Sequence, residues 1–187
     1  MKRISLGLTG TNASGKGTVA DYLISKGFDY ISLSDELRQE AIDRKLQTSR
    51  ENLTQLGKEL RLVHGPGFLA KRLVQKVNPE GWTIIDSIRH PKEVEVLRSL
   101  PHFVLLGIDA DIQLRYERAV LRGRDESAKT LEEFERREQE ENQNQENSQQ
   151  LSNTLRLADC IVQNNDSQEA LIQAVNTYLK SVGVLIS

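Results

Sequence analysis

The sequence predicts a three-layer α/β/α fold in which helices cover both faces of a five-stranded parallel sheet. Short apolar runs alternate with helical patterns along the chain, and its 187 residues are enough for one substantial core. Two of the runs, "WTIIDSI" and "HFVLLGI", are apolar almost throughout, which is typical of strands buried on both faces. Strand–helix alternation at this spacing favours parallel strands.

The individual elements can be placed from local patterns. The predicted strands are residues 3–9, 29–33, 82–88, 102–108 and 160–163. Thr48 and Thr130 each precede a glutamate by three residues, which predicts a capping box, and Asp166 has the same spacing. Pro91 suits the first turn of a helix. We expect one domain over residues 1–187. Within it, residues 35–80 should form helices that line a substrate-binding pocket, and residues 115–150 should form a lid-like helical segment.

Composition excludes several classes of protein. The net charge of −2 gives no general electrostatic attraction to nucleic acid or to an anionic membrane, and no apolar run reaches the roughly 20 residues of a membrane span. The single cysteine, Cys160, cannot form an internal disulfide and reads as a buried strand thiol. We therefore expect a cytoplasmic protein, monomeric or homodimeric, that binds neither nucleic acid nor membranes.

The stretch Gly10-Thr-Asn-Ala-Ser-Gly-Lys16 has the spacing of a phosphate-binding loop between a strand and a helix. Glycines let the backbone curl so that several N–H groups point inward, and the following helix adds its N-terminal dipole. Lys16 would reach the β- and γ-phosphates of ATP. The predicted ATP-binding residues are Gly10, Asn12, Ala13, Ser14, Gly15, Lys16, Gly17, Thr18 and Asn165.

Charged residues follow the second and third predicted strands, where an open α/β sheet binds its ligands. Asp86 ends an apolar run, as a Mg²⁺-organising carboxylate does, and Arg89 comes three residues later. Asp35 and Arg38 lie in the first turn of the helix after the second strand and could contact an acceptor, or could form an ordinary i,i+3 ion pair. A buried aspartate needs a partner, which favours a functional role for Asp86.

A run of arginines, at positions 115, 118, 122 and 124, leads into an acidic and polar segment. Residues 125–150 contain nine acidic and three basic residues. This segment could be a solvated helix with a mobile polar end, or a hinged lid whose arginines close onto transferring phosphates. Arg136 and Arg137 are weaker candidates for the same role.

Other residues have two open interpretations. Asn164 and Asn165 follow the fifth strand and could contact a nucleotide base or only form a turn and helix cap. His90 is expected to be a loop residue. Four leucines of the helices predicted around the substrate pocket are expected to lie in the apolar core and not to contact the substrate: Leu53, Leu56, Leu60 and Leu62.

Taken together, these motifs resemble the nucleoside monophosphate kinase branch of the P-loop kinases. "GTNASGKGT", "SLSDELR" and "IIDSIR" are similar to that family's donor loop, acceptor helix and third-strand segment, in the same order. "GLTG" resembles dephospho-coenzyme A kinases, and "DSIRHPKEVEVLR" resembles an uncharacterised archaeal P-loop kinase group. Gly17 departs from the usual motif, but "GKGT" is the ending in these monophosphate kinases, whose threonine contacts phosphate while Mg²⁺ is held largely through water.

The resemblance implies ATP and Mg²⁺ as cofactors, with Thr18 and Asp86 at the metal. It implies acceptor binding by Arg38 and Arg89, and Arg122 and Arg124 acting from the lid on the transferring group.

Three functions stay open at this point. The first is a nucleoside or deoxynucleoside monophosphate kinase, which needs no general base. The second is a hydroxyl-directed kinase such as dephospho-coenzyme A kinase, with Asp35 as the proton acceptor. The third is a nucleotide-binding regulator without phosphotransfer.

Overall fold

The computed structural model describes residues 3–123, 128–142 and 148–185. The strands are β1 (Ser5–Gly10), β2 (Asp29–Ser32), β3 (Thr83–Asp86), β4 (Phe103–Asp109) and β5 (Cys160–Gln163). The helices are α1 (Lys16–Ser25), α2 (Leu33–Asp43), α3 (Arg50–His64), α4 (Phe68–Val74), α5 (Pro91–Leu97), α6 (Ile112–Leu121), α7 (Leu131–Glu141), α8 (Leu151–Arg156) and α9 (Gln168–Ser181).

All five strands form one parallel sheet in the order β2-β3-β1-β4-β5, which confirms the predicted fold class. The central strand, β1, pairs with β3 on one side and β4 on the other, so that Gly7 lies opposite both Ile85 and Leu105. Because the strands are parallel, their carboxyl ends share one edge. This edge, which carries Gly10 and Asp86, is where the candidate site lies.

Helices bury both faces of the sheet. Ile84 points into one cluster, which includes Leu23 of α1 and Val175 of α9. Its neighbour Ile85 points into the other cluster, with side chains from α4 and α5 such as Leu73. Successive strand residues therefore enter opposite cores, which explains why these strands are apolar at nearly every position.

A smaller apolar cluster joins the helices that lie beyond β2. Leu56 and Leu60 of α3 are buried against Ala41 of α2, and Leu53 packs at the border. The expectation of a core position is wrong for Leu62, whose surface is 70% exposed. A residue two places after Leu60 lies about 200° around the helix, on its far side.

Several helix caps lie one residue from their predicted places. Ser49, not Thr48, caps α3, and Ser167, not Asp166, caps α9, because each offers its hydroxyl to a backbone N–H in the first turn. Thr130 caps α7 as predicted. His90 is not a plain loop residue: it is buried and caps α5, where its Nδ1 accepts from the Lys92 N–H.

Cys160 begins β5 and is half-buried, and burial raises the pKa of its thiol. No disulfide bond forms there, in keeping with a single cysteine in the chain. In the ranges that the structure describes, no helix has the length and apolar character needed to cross a bilayer.

Candidate active site

The glycine loop curls between the end of β1 and the start of α1. Gly10, Ala13 and Gly15 have positive φ angles of 146°, 60° and 109°. A Cβ on Gly10 would lie 2.0 Å from the Ile108 carbonyl oxygen, so only glycine fits there. Ala13 adopts the left-handed conformation at a cost of about 1–2 kcal/mol, which is typical of backbone strained for function.

Lys16 folds back over this loop. Its Nζ donates to the carbonyl oxygens of Gly10 and Thr11, both at 2.7 Å. Burial, then the charge of Arg89, and more weakly those of Arg122 and Arg115, lower its pKa to about 8, whereas Asp86 opposes the shift. The charges of three arginines therefore act on Lys16, and the charge of Asp86 opposes them.

Two other loop contacts were not predicted in detail. Ser14 is fully buried, and its Oγ has no hydrogen-bond partner among the described residues. Asn164 donates from its Nδ2 to the Ser14 carbonyl oxygen at 2.8 Å, and Arg118 donates to the Asn164 carbonyl oxygen. Asn164 therefore supports the loop from the end of β5, and the buried Ser14 hydroxyl is left without a partner among the described residues.

The remaining predicted ATP-binding residues differ in exposure. Asn12 and Gly17 are exposed and Thr18 is half-buried in the first turn of α1. A Cβ on Gly17 would meet no atom within 4 Å, so this position borders open space. Asn165 is exposed, and its Oδ1 accepts from the Asp111 N–H at 2.8 Å.

Asp86 ends β3 beside the loop. Its Oδ1 accepts from the Ser87 N–H at 2.6 Å, and its Oδ2 accepts from the Tyr30 hydroxyl at 2.9 Å. Burial and this carboxylate raise the pKa of the Tyr30 phenol, which keeps it a donor. A single carboxylate of this kind fits a Mg²⁺ held mainly by water and ligand phosphates. Within the described parts of the chain, no three His, Cys, Asp or Glu side chains form a metal cluster.

Asp109, at the end of β4, was missed by the sequence reasoning. Its Oδ1 accepts from the Thr11 hydroxyl at 2.6 Å and so holds the exposed side of the loop. The signal was available, because Asp109 ends an apolar strand in the same way as Asp86.

On the acceptor side, α2 begins at the carboxyl end of β2. Arg38 is 50% exposed and pairs with Asp35, which is the ordinary i,i+3 ion pair that the sequence also allowed. Arg38 also donates to the Ser34 hydroxyl, which lies within 3.2 Å of the hydroxyls of Ser32 and Ser87. Ser87 has a φ of 65°, and this strained residue follows Asp86 directly.

Arg89 lies between the two sides of the site. The charge of Arg89 helps to lower the pKa of Lys16, and the Arg89 Nη1 lies 3.4 Å from the Gln149 Oε1. Its backbone N–H donates to Glu93 Oε2 at 2.8 Å, which also accepts from the His90 N–H. Glu93 therefore fixes the segment that presents Arg89, a role that the sequence did not indicate.

The arginines of α6 are not equivalent. Arg115 is buried, donates to the Ala110 carbonyl oxygen and pairs with Glu138 of α7 at 2.7 Å. Arg122 is exposed at the end of α6. The predicted lid residue Arg124 lies outside the described residues.

Arg118 is anchored by its bond to the Asn164 carbonyl oxygen, a contact that the sequence did not indicate. The weaker candidates Arg136 and Arg137 pair with glutamates on their own helix.

A buried arginine of α3 was also missed. Only 8% of the Arg61 side chain is exposed, and its nearest acid is Glu93, at 4.0 Å. Arginines on an amphipathic helix are usually solvated, so the sequence carried no signal for this position.

Comparisons with known proteins show what this chain is similar to in sequence and in fold. Residues 9–135 match the family model described as AAA domain. A UPF0200 protein of Pyrococcus abyssi is 30% identical over 182 residues, covering 94% of this chain and 95% of its own length. A second UPF0200 protein, of Sulfurisphaera tokodaii, is 29% identical over 177 residues, covering 95% and 96%. Shikimate kinase from Aquifex aeolicus has a similar fold, with a TM-score of 0.56 at 14% identity over 96% of this chain and 99% of that one.

Proposed function

This chain belongs to the UPF0200 family of AAA-domain proteins, and we propose that it is an ATP-dependent kinase acting on a nucleoside monophosphate. The observation that carries the proposal is the cluster of cations at the glycine loop. Lys16 lies within the electrostatic reach of Arg89, Arg122 and Arg115, with Asp86 as the opposing charge. Such a grouping of positive charge around a half-buried lysine is stabilised by a polyphosphate.

The proposed reaction moves the γ-phosphoryl group of ATP. The bond between the γ-phosphorus and the bridging oxygen of ADP breaks, and an oxygen of the acceptor phosphate forms the new bond. The acceptor is already an anion, so no proton has to be removed. Catalysis then consists of positioning and charge neutralisation, which this site is built to supply.

Each residue has a defined role in this proposal. The loop N–H groups and Thr18 bind the donor phosphates, and Lys16 leaves the carbonyls of Gly10 and Thr11 to neutralise them. When bound, Mg²⁺ would neutralise the β- and γ-phosphates, oriented through water by Asp86 and Thr18. Arg89 would hold the acceptor phosphate close to the donor.

Three further residues complete the proposal. Arg38, on release from Asp35, would assist at the acceptor. Arg122 and Arg124 would act on the transferring group.

A kinase that transfers to a hydroxyl is the second candidate. The observation in its favour is Asp35, a carboxylate that is 56% exposed at the carboxyl end of β2, where it could accept a proton. Asp35→Asn separates the two reactions. Loss of most turnover with unchanged acceptor binding supports a hydroxyl acceptor, whereas a small change supports a phosphate acceptor.

The test is an ADP-release assay with MgATP and a panel of ribonucleoside and deoxyribonucleoside monophosphates, with dephospho-coenzyme A as the hydroxyl acceptor. We expect turnover with at least one monophosphate and a loss of about 10²-fold or more in Lys16→Ala. Lys26→Ala, at the other end of α1, is the matched control and should keep full activity. ATP binding without turnover on any acceptor would support a regulator and overturn the proposal.

A further inference from the structure

Arg61 is a buried cation without adequate partners. Its Nε has no hydrogen-bond partner among the described residues, and its Nη2 lies 4.0 Å from Glu93 Oε1, beyond hydrogen-bonding distance. Burial lowers the pKa of the Arg61 guanidinium, and Glu93 only opposes that shift. A guanidinium in such surroundings is costly unless something else completes its hydrogen bonds.

The helix that carries Arg61 makes room for its side chain. Gly57 lies one turn earlier in α3, and a Cβ there would be 3.3 Å from Arg61 Nη1, a tight contact. Glycine in a helix interior lowers helix stability, so its presence needs a local reason. Here it leaves a recess into which the guanidinium of Arg61 folds.

Glu93 cannot neutralise this region by itself. Its Oε2 accepts the N–H groups of Arg89 and His90, so one oxygen is committed to the start of α5. The Arg89 backbone and the Arg61 guanidinium face the same carboxylate, and the charge of Arg89 also lowers the pKa of Arg61. Two cations therefore share one carboxylate whose own pKa is raised by burial.

We propose that Arg61 is an acceptor-binding residue, which together with Arg89 binds the phosphate of a phosphate-monoester acceptor. The proposal rests on the proposed function and names a residue of α3 for its acceptor site. Guanidinium forks match phosphate oxygens in pairs, and a dianion neutralises two arginines better than a carboxylate does. The charge of Arg89 also acts on Lys16, so a phosphate bound by Arg89 would lie toward the donor loop.

The first test measures acceptor affinity and stability in Arg61→Met. We expect the KM for the monophosphate to rise by about 10- to 100-fold, with an unchanged Kd for MgATP. The melting temperature should stay equal or rise, because a buried charge without hydrogen bonds is removed. Arg61→Lys keeps the charge without the fork and should restore part of the affinity. Arg98→Met, which removes an ion pair with Asp159, is the control and should leave KM unchanged.

A second test does not depend on the acceptor's identity. With MgADP saturating the donor loop, inorganic phosphate should raise the melting temperature of the wild type but not that of Arg61→Met. Phosphate binding that needs Arg61, without transfer to any monophosphate, would keep this proposal and overturn the proposed function.

Transfer with an unchanged KM in Arg61→Met would overturn this proposal alone. A joint loss of MgATP affinity, monophosphate affinity and stability would show a structural role and also overturn it. An unchanged melting temperature of the wild type with phosphate and with monophosphate would also overturn this proposal.

Discussion

The donor and acceptor sides of the site are built in different ways. The donor side is one continuous loop, residues 10–18, in which Lys16 finds two carbonyl partners within the loop itself. The acceptor side combines α2, α3 and the segment before α5, and its buried cation Arg61 lies 4.0 Å from the nearest acid. The difference teaches that a short local motif can give its lysine hydrogen-bond partners of its own, whereas an assembled site leaves a buried arginine for the ligand to satisfy.

Arg89 faces both the donor loop and the acceptor side. Its replacement should therefore lower activity more than any change that affects one side alone. Arg89→Met should lower kcat/KM by about 10²- to 10³-fold, because it removes a charge that faces both the donor loop and the acceptor. Steady-state kinetics with each substrate varied in turn measures this loss. Arg98→Met at the other end of α5 serves as the control. A defect confined to one substrate would break the assignment of Arg89 to both sides.

Titration of Lys16 provides a second, smaller effect on the donor side. Its pKa is about 8 in the free protein and 10.5 when unperturbed, so Lys16 is charged below pH 8 and loses its proton above it. Bound phosphates favour the charged form, so ATP binding above pH 8 must take up a proton. The affinity for ATP should therefore fall by up to about tenfold per pH unit above 8.

The same shift has an effect of known sign on stability. Between pH 8 and 10.5 the unfolded chain binds more protons at Lys16 than the folded one, so the contribution of Lys16 to the free energy of unfolding rises with pH.

Calorimetric titrations with ATP at pH 7, 8 and 9 measure how the affinity for ATP changes with pH. Lys16→Arg, which stays charged, should lose the pH dependence. An equal fall in that variant would assign the effect to another group.

The smallest effect concerns the recess on the acceptor side. Gly57→Ala should stabilise α3 by about 0.5–1 kcal/mol, yet weaken acceptor binding a few-fold because the guanidinium of Arg61 must shift by some tenths of an ångström. Thermal unfolding and acceptor KM measure the two effects. In an Arg61→Met background the stabilisation should persist and the KM effect vanish. A KM effect that survives in that background would contradict the role of the recess.

The sequence predicted the sheet and the donor loop because both are local patterns. Residues 160–163 were predicted as a strand with the observed bounds, and the other four strands differ by at most two residues at either end. The glycine loop was recognisable since its residues are adjacent in the chain. Caps at residues 48 and 166 were misplaced by one position because Ser49 and Ser167 are equally good capping residues.

The acceptor side could not be predicted to the same depth. Arg61 depends on its burial beside Glu93 of α5 and on Gly57, and neither is visible in a helical pattern. Leu62 was assigned to the core because it is apolar, but a helix turns it away from Leu60. Arg118 reads like a mobile basic residue, yet its partner Asn164 is 46 residues away. Contacts between segments that are distant in the sequence leave no local pattern. The surroundings of these residues could therefore be found only from the structure.

The central claim is that the loop from Gly10 to Lys16 binds the phosphates of ATP, and titration calorimetry with MgATP at pH 7 tests it most directly. We predict saturable binding at one site in the wild type and in Lys26→Ala, and a large loss of affinity in Lys16→Ala. No heat of binding in the wild type, or equal affinity in Lys16→Ala, would contradict it.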